Sequence, residues 1–258
     1  MKRDKLRDIV YVLKNDYDSE ELKYSVRSVV KNFPFRKICF VGGGPEDVTA
    51  DIRIYDKQQG ATKWERSTSS LKIALANDDL TEDIWLFNDD FFVMNKVEPT
   101  INYFGGTLER RILELKERFP TGSEYINNLI DLRRNLYKMK KDTLTFCLHL
   151  PMLVNRNKAL NVLEEFPEQK MFRSFYGNYC EVPCTFSKDV KVYDLTSVPN
   201  TDYISTTDKS FKEGKVGEFI RACFPAPCRY EIGHDIEIKD IKELYSEEGD
   251  LSYEQQGI

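Results

Sequence analysis

Apolar residues run through Asp8-Ile-Val-Tyr-Val-Leu13 almost without a break, the pattern of a strand buried on both faces of a parallel sheet. A polar loop, Lys14 to Asp18, follows. Ser19 then reads as a helix N-cap, with Glu20 and Glu21 in the first turn. The spacing of Leu22, Val26, Val29 and Val30 predicts a helix over 20–32 with one apolar face, stopped before Pro34. Lys37 to Val41 predicts a second buried strand, leading into Gly42-Gly43-Gly44-Pro45. Ile52 to Tyr55 predicts a third. A helix is expected over about 67–77, and Asp83-Ile-Trp-Leu-Phe87 predicts another buried strand.

This order of strands and helices predicts an α/β class: a Rossmann-like, mostly parallel sheet with flanking crossover helices. From Thr107 to Lys141 the pattern is helical and charged, broken at Pro120-Thr121-Gly122. It reads as an inserted helical pair whose Leu113, Phe119, Ile126, Leu129, Ile130 and Leu136 face a core. Leu144 to His149 predicts a strand, and a helix is expected over about 157–166. Residues 171–230 mix short strands and loops, and the tail after Gly249 is polar.

Composition narrows the picture. The 258 residues are 41% hydrophobic and 31% charged, an ordinary globular balance with material for a sizeable core. Net charge is −5 with the two signs interspersed, so no basic stripe marks a phosphate-backbone binder. No apolar run reaches the roughly 18 residues of a membrane span. The charged Met1 to Arg7 segment lacks an apolar stretch of signal-peptide length, so a cytoplasmic location is expected, the host's if the source is viral. Six cysteines then read as reduced thiols. Cys180, Cys184, Cys223 and Cys228 could form a zinc site, although neither pair has the two-residue spacing usual for one.

Ligands of such sheets gather at the carboxyl ends of the strands, which singles out the 14–18 loop, the 42–45 loop and Asn88-Asp89-Asp90. Two adjacent carboxylates closing a buried strand are costly unless a cation or hydrogen-bond donors balance them. Mn2+ or Mg2+, shared with a substrate diphosphate, would do so; a solvated turn or helix cap is the plain alternative. The triglycine is neither a dinucleotide fingerprint nor a P-loop, and suits a tight turn or close backbone approach. Tyr11 could stack on a nucleobase or belong to the core.

Four blocks in order carry a resemblance: Asp8-Ile-Val-Tyr-Val, Glu21-Leu-Lys-Tyr-Ser-Val-Arg-Ser-Val-Val30, Arg36-Lys-Ile-Cys-Phe-Val-Gly42 and Ile84-Trp-Leu-Phe-Asn-Asp-Asp-Phe-Phe92. With His149-Leu-Pro151 and Phe172-Arg173 they resemble the Stealth-type sugar-phosphate transferases, which share a nucleotide-sugar-transferase fold of the GT-A kind. The family's Trp-Val-Asp-Gly after the first strand is absent, and the chain is short for the family. The closing Phe219 to Glu231 looks more like small phage-type glycosyltransferase-like proteins.

The resemblance implies a metal-dependent glycosyltransferase using a nucleotide-sugar donor, UDP-sugar by expectation. Transfer of a hexose-1-phosphate with release of a nucleoside monophosphate is the alternative. A non-catalytic binding protein on the same fold is the third. The acceptor would be a glycan, a protein or modified DNA. Residues 1–105 would bind the nucleotide-sugar, 106–142 form the helical insertion, 143–235 complete the domain on the acceptor side, and 236–258 form a tail. Asp89 and Asp90, with His234 as a late-chain ligand, would hold the metal. Asn88, Tyr11, Arg27, Gly42, Gly43, Lys72 and Arg173 would contact the donor, and His149 or Asp208 would act as base.

Overall fold

The computed structural model describes residues 6–15 and 19–232. Strand β1 (Asp8–Leu13) sits at the centre of a five-stranded sheet, and helix α1 (Glu20–Asn32) covers one of its faces. The apolar run of β1 resolves into alternate faces. Ile9, Tyr11 and Leu13 pack in one core layer with Leu22, Val26 and Val29 of α1, while Val10 points into the opposite layer. Strands β2 (Ile38–Gly42) and β3 (Ile52–Ile54) extend the sheet on one side. Helix α2 (Lys63–Leu75) returns across the second face to β4 (Asp83–Phe87), which pairs parallel to β1.

Asp8 is fully buried at the start of β1. It receives two hydrogen bonds from the Arg36 guanidinium, at 2.8 and 2.6 Å, and one each from the backbone N–H of Lys37 and Thr81. A buried carboxylate so satisfied fixes the register at this edge.

After β4 the chain turns through residues 88–90 and leaves the main sheet. Strand β5 (Phe91–Val93) belongs to a second sheet; β6 (Asn102–Phe104) leads to the antiparallel helices α3 (Leu108–Arg118) and α4 (Glu124–Lys138). Strand β7 (Met152–Asn155) returns to the main sheet antiparallel to β4, completing the order β3-β2-β1-β4-β7. Helices α5 (Arg156–Glu165) and α6 (Phe172–Tyr179) follow, then β8 (Cys184–Phe186), parallel to β6. Strands β9 (Lys191–Val192) and β10 (Tyr203–Thr206) join β5 in the order β5-β10-β9. Helices α7 (Asp208–Glu213) and α8 (Lys215–Cys223) close on that small sheet. The α/β class, the mostly parallel sheet, the flanking helices and the helical insertion are as expected.

Several local expectations are corrected. The segment 144–149 is not a ladder strand. Its backbone makes only isolated contacts: Thr145 exchanges hydrogen bonds with Gly105 and Gly106, Asn178 Oδ1 accepts from Leu144 N and Ser174 Oγ from Phe146 N. The strand forms later, at β7. Leu113 and Phe119 are exposed, because the face of α3 that packs on α4 carries Leu108, Ile112 and Leu115. Val30 likewise lies at the exposed margin of α1. Helix α2 starts four residues early, where Thr62 and Glu65 form a reciprocal capping box. Among the described residues no helix is long and apolar enough to cross a membrane.

Candidate functional site

The Asn88-Asp89-Asp90 turn lies where the chain passes from the main sheet to the small one, so both sheets supply its partners. Asp90 Oδ2 accepts from Lys191 Nζ at 2.6 Å and from Ser205 Oγ at 3.1 Å, both from the small sheet. Asp90 Oδ1 is buried and has no hydrogen-bond partner among the described residues. Asp89 accepts a hydrogen bond from Ser19, the N-cap of α1; burial, then the Asp90 charge, push its carboxyl up to about 6. Glu21, the second residue of α1, accepts from Thr206 Oγ1 at 2.5 Å. Burial pushes Glu21 up to about 7, and the charges of Asp90, Asp89 and Asp208 add to the rise.

The result is a set of four carboxylates, Glu21, Asp89, Asp90 and Asp208, with Lys191 paired to one of them. Excess negative charge and a buried carboxylate oxygen lacking a donor fit a hard divalent cation. Among the described residues no three His, Cys, Asp or Glu side chains converge into a ligand set. The protein would therefore provide one or two carboxylates, the usual arrangement when substrate phosphates and water complete the shell. His234 lies outside the described residues.

Asp89 and Asn88 line a cavity of about 540 Å³. His149 lines it too, half-buried, with Nδ1 2.8 Å from Asp189 Oδ1. Burial opposes the Asp189 charge, but the hydrogen bond and charge of His149 hold its carboxyl below the ordinary range. Donation from Nδ1 to this carboxylate, the assignment the pairing favours, leaves the Nε2 lone pair able to accept a proton. Arg173 stands in the same wall, its guanidinium over the Phe91 ring.

A second cavity, about 1160 Å³, lies beside the carboxyl ends of β1 to β3 and is lined by Gly42, Gly43, Gly44, Ser19, Lys23 and Arg53 among others. Gly42 has φ +99°, and a Cβ there would fall 2.1 Å from Leu13 O; at Gly43 it would fall 2.8 Å from Asn15 Cα. These glycines permit the close approach of the 42–44 loop to the chain leaving β1. Ser19 borders this cavity while bonding Asp89 of the first.

Other expected contacts are corrected. Tyr11 is fully buried against Phe40 and Phe87, its hydroxyl 3.0 Å from Ser25 Oγ, so it cannot stack on a base. Arg27 forms a bidentate pair with Glu231 at 2.7 and 2.6 Å and donates to the carbonyls of Phe224 and Pro225. It fastens the C-terminal segment across α1 and lines neither cavity. Lys72 lines neither cavity; its ammonium is 3.9 Å from Glu164 of α5. Arg173 donates to the carbonyls of Leu150 and Leu86 and to Asn88 Oδ1, and burial lowers its pKa to about 10. It braces the turn rather than gripping phosphate as a free fork. Asp208 is exposed at the first position of α7, with Thr207 as the cap. The six described cysteines are free; Cys180 and Cys184 pack on one core layer, Cys223 and Cys228 on two others, so no four-thiolate zinc site forms.

Lys191, Ser205, Thr206 and Asp189 carry no local signal in the sequence. The first three reach the turn and Glu21 through strand pairing across about a hundred residues, and Asp189 reaches His149 from the residues just before β9.

No protein-family model matches the chain, and no curated protein matches it. Among solved structures it aligns with the galactosyltransferase LgtC in complex with donor and acceptor sugar analogues, at 12% identity over 91% of this chain and 99% of that one, TM-score 0.45. An active-site mutant of LgtC aligns at 10% identity over 93% and 95%, TM-score 0.37. The glycosyltransferase GlyE of Streptococcus pneumoniae TIGR4 aligns at 12% identity over 71% of this chain, TM-score 0.34, and the match spans only 45% of GlyE. Likeness at this level assigns no activity to the chain.

Proposed function

We propose that the chain is a glycosyltransferase that binds a nucleotide-sugar, UDP-sugar by preference, with a divalent cation at Asp89 and Asp90. The observation that carries this reading is Asp90 Oδ1, a buried carboxylate oxygen without a donor among the described residues, next to a second carboxylate facing a cavity. Mn2+ or Mg2+ bound there would neutralise charge on the departing nucleoside diphosphate. The 42–44 loop and the large cavity beside it would take the nucleoside, and the smaller cavity the sugar and acceptor. Residues 1–105 would thus serve the donor, and 143–232, bringing His149, Asp189 and Lys191, the acceptor side.

In the inverting form of the reaction, His149 Nε2 takes the proton of the acceptor hydroxyl. The hydroxyl oxygen bonds to the anomeric carbon as the bond from that carbon to the diphosphate breaks. Asp189 stabilises the imidazolium that forms. Arg173 holds Asn88 and the turn in place. Asp208, exposed beside the carboxylates, is the second candidate base. Transfer of a hexose-1-phosphate is the alternative: there the acceptor hydroxyl attacks phosphorus and the nucleoside monophosphate leaves.

A thermal-shift screen of UDP-sugars with Mn2+, followed by product analysis, tests the reading. Stabilisation that needs both, with UDP as product, is expected. UMP would select sugar-phosphate transfer. No response to any nucleotide diphosphate would count against both enzymatic readings and leave a non-catalytic binding protein.

A further inference from the structure

The cavity wall opposite the Asp turn has a composition of its own. Helix α2 opens with Lys63 and Trp64, α3 contributes Arg111, α4 contributes Tyr125 from its first turn, and Lys170 comes from the loop before α6. Tyr193 stands at the rim, half exposed, under the Arg118 guanidinium. Among the described residues lining the cavity, Asp89 is the sole carboxylate. The carboxylates nearest the basic groups lie outside hydrogen-bond length: Glu65 and Glu124 at 3.9 and 3.7 Å from Lys170, Glu114 at 3.9 Å from Arg111. Glu65 is moreover occupied in capping α2, accepting from the N–H of Ala61 and Thr62. Exposed contacts of that length neutralise little. Arg111 lies beside the Tyr125 phenol, and the Lys63 ammonium lies 4.8 Å from the Trp64 ring centre.

Aromatic faces suit the C–H faces of a sugar ring, and fixed cations suit an anionic substituent. About 540 Å³ accommodates a monosaccharide unit with such a substituent. We propose that this wall is the acceptor subsite, and that the acceptor is a sugar bearing a phosphate or carboxylate group, met by Arg111 and Lys170 while Trp64 and Tyr125 pack on the ring. The acceptor role rests on the transferase reading above; the anionic-sugar site does not.

Calorimetric titration of the full chain with glucose, glucose 6-phosphate, glucuronate and UDP (with Mn2+) provides the test, on wild type and on R111Q, K170Q and K63Q. The phosphate or the carboxylate sugar, or both, should bind at least about tenfold tighter than glucose, and which one does so identifies the substituent. R111Q and K170Q should each lower that affinity by about tenfold and leave UDP affinity unchanged. Lys63 is exposed, so K63Q is expected to fold normally and to give a smaller loss of the same sign. Equal binding of glucose and the charged sugars would overturn the proposal. So would loss of UDP affinity in R111Q or K170Q, which would give the wall to the donor diphosphate. Wall-dependent binding of charged sugars without UDP binding would support the anionic site and overturn the transferase reading behind its acceptor role.

Discussion

Lys191 Nζ lies 2.6 Å from Asp90 Oδ2, and both side chains are 15% exposed. This pair joins the turn after β4 to β9 of the small sheet. It neutralises one oxygen of Asp90 and leaves the other without a donor among the described residues. Removing one partner of a buried ion pair leaves an uncompensated charge, whereas removing both often costs little. K191M is therefore expected to destabilise the fold by about 3 kcal/mol in urea unfolding. The double variant D90N/K191M should recover much of that loss. Additive losses in the double-mutant cycle would show that the two groups do not interact.

Tyr11 ends in a hydrogen bond to Ser25 inside a sealed aromatic cluster. Y11F should cost about 1 kcal/mol of stability, the value of one neutral hydrogen bond. Nucleotide affinity, read by calorimetry, should not change. A large loss of affinity in a well-folded Y11F protein would restore the stacking role that burial denies to this ring.

Arg27 and Glu231 form the bidentate pair that ties the C-terminal segment to α1, with side chains 9% and 3% exposed. Limited proteolysis of R27A should open new cleavage sites within 225–232 at protease levels that spare the wild type. Stability should fall by about 3 kcal/mol, as expected when a buried charge loses its partner. An unchanged proteolytic pattern would show that the segment is held by its other contacts.

Glu21 sets a pH dependence whose sign can be worked out. Its carboxyl is raised from the ordinary 4.5 to about 7 by burial and by neighbouring carboxylates. Between those values the folded protein holds a proton that the unfolded chain releases, so stability falls as pH rises through this window. E21Q removes the penalty and keeps an acceptor for Thr206. It should match wild type near pH 4.5 and exceed it at pH 8 by on the order of 2 kcal/mol, measured by denaturant unfolding. A variant less stable than wild type at pH 8 would contradict the assignment.

Much of the first half of the fold was legible because its signals are local. The apolar runs at 8–13 and 83–87 fix two central strands, and Ser19 marks the start of α1 to the residue. The expected start of α2, at about 67, falls four residues late, because the capping pair Thr62 and Glu65 went unread. Position 144–149 misled because its apolar residues are buried by packing, while its backbone meets the 105–107 loop at one bridge and otherwise the side chains of Asn178 and Ser174. In the site, the Asp pair announced itself by charge at the end of a buried strand. Its counter-ion Lys191 did not, since a lysine in a polar stretch reads as surface. Arg27 and Lys72 lie on the helices that flank the site, yet each turns toward a carboxylate elsewhere, a choice no helical spacing reveals.

The central claim is that Asp89 and Asp90 hold a divalent cation that in turn holds the donor diphosphate. Titration of UDP into wild type and D90N, each with Mn2+ and with EDTA, tests it most directly. Wild type should bind in Mn2+ and lose about 100-fold in EDTA; D90N should bind weakly in both. Equal affinity for UDP in all four titrations would contradict the account.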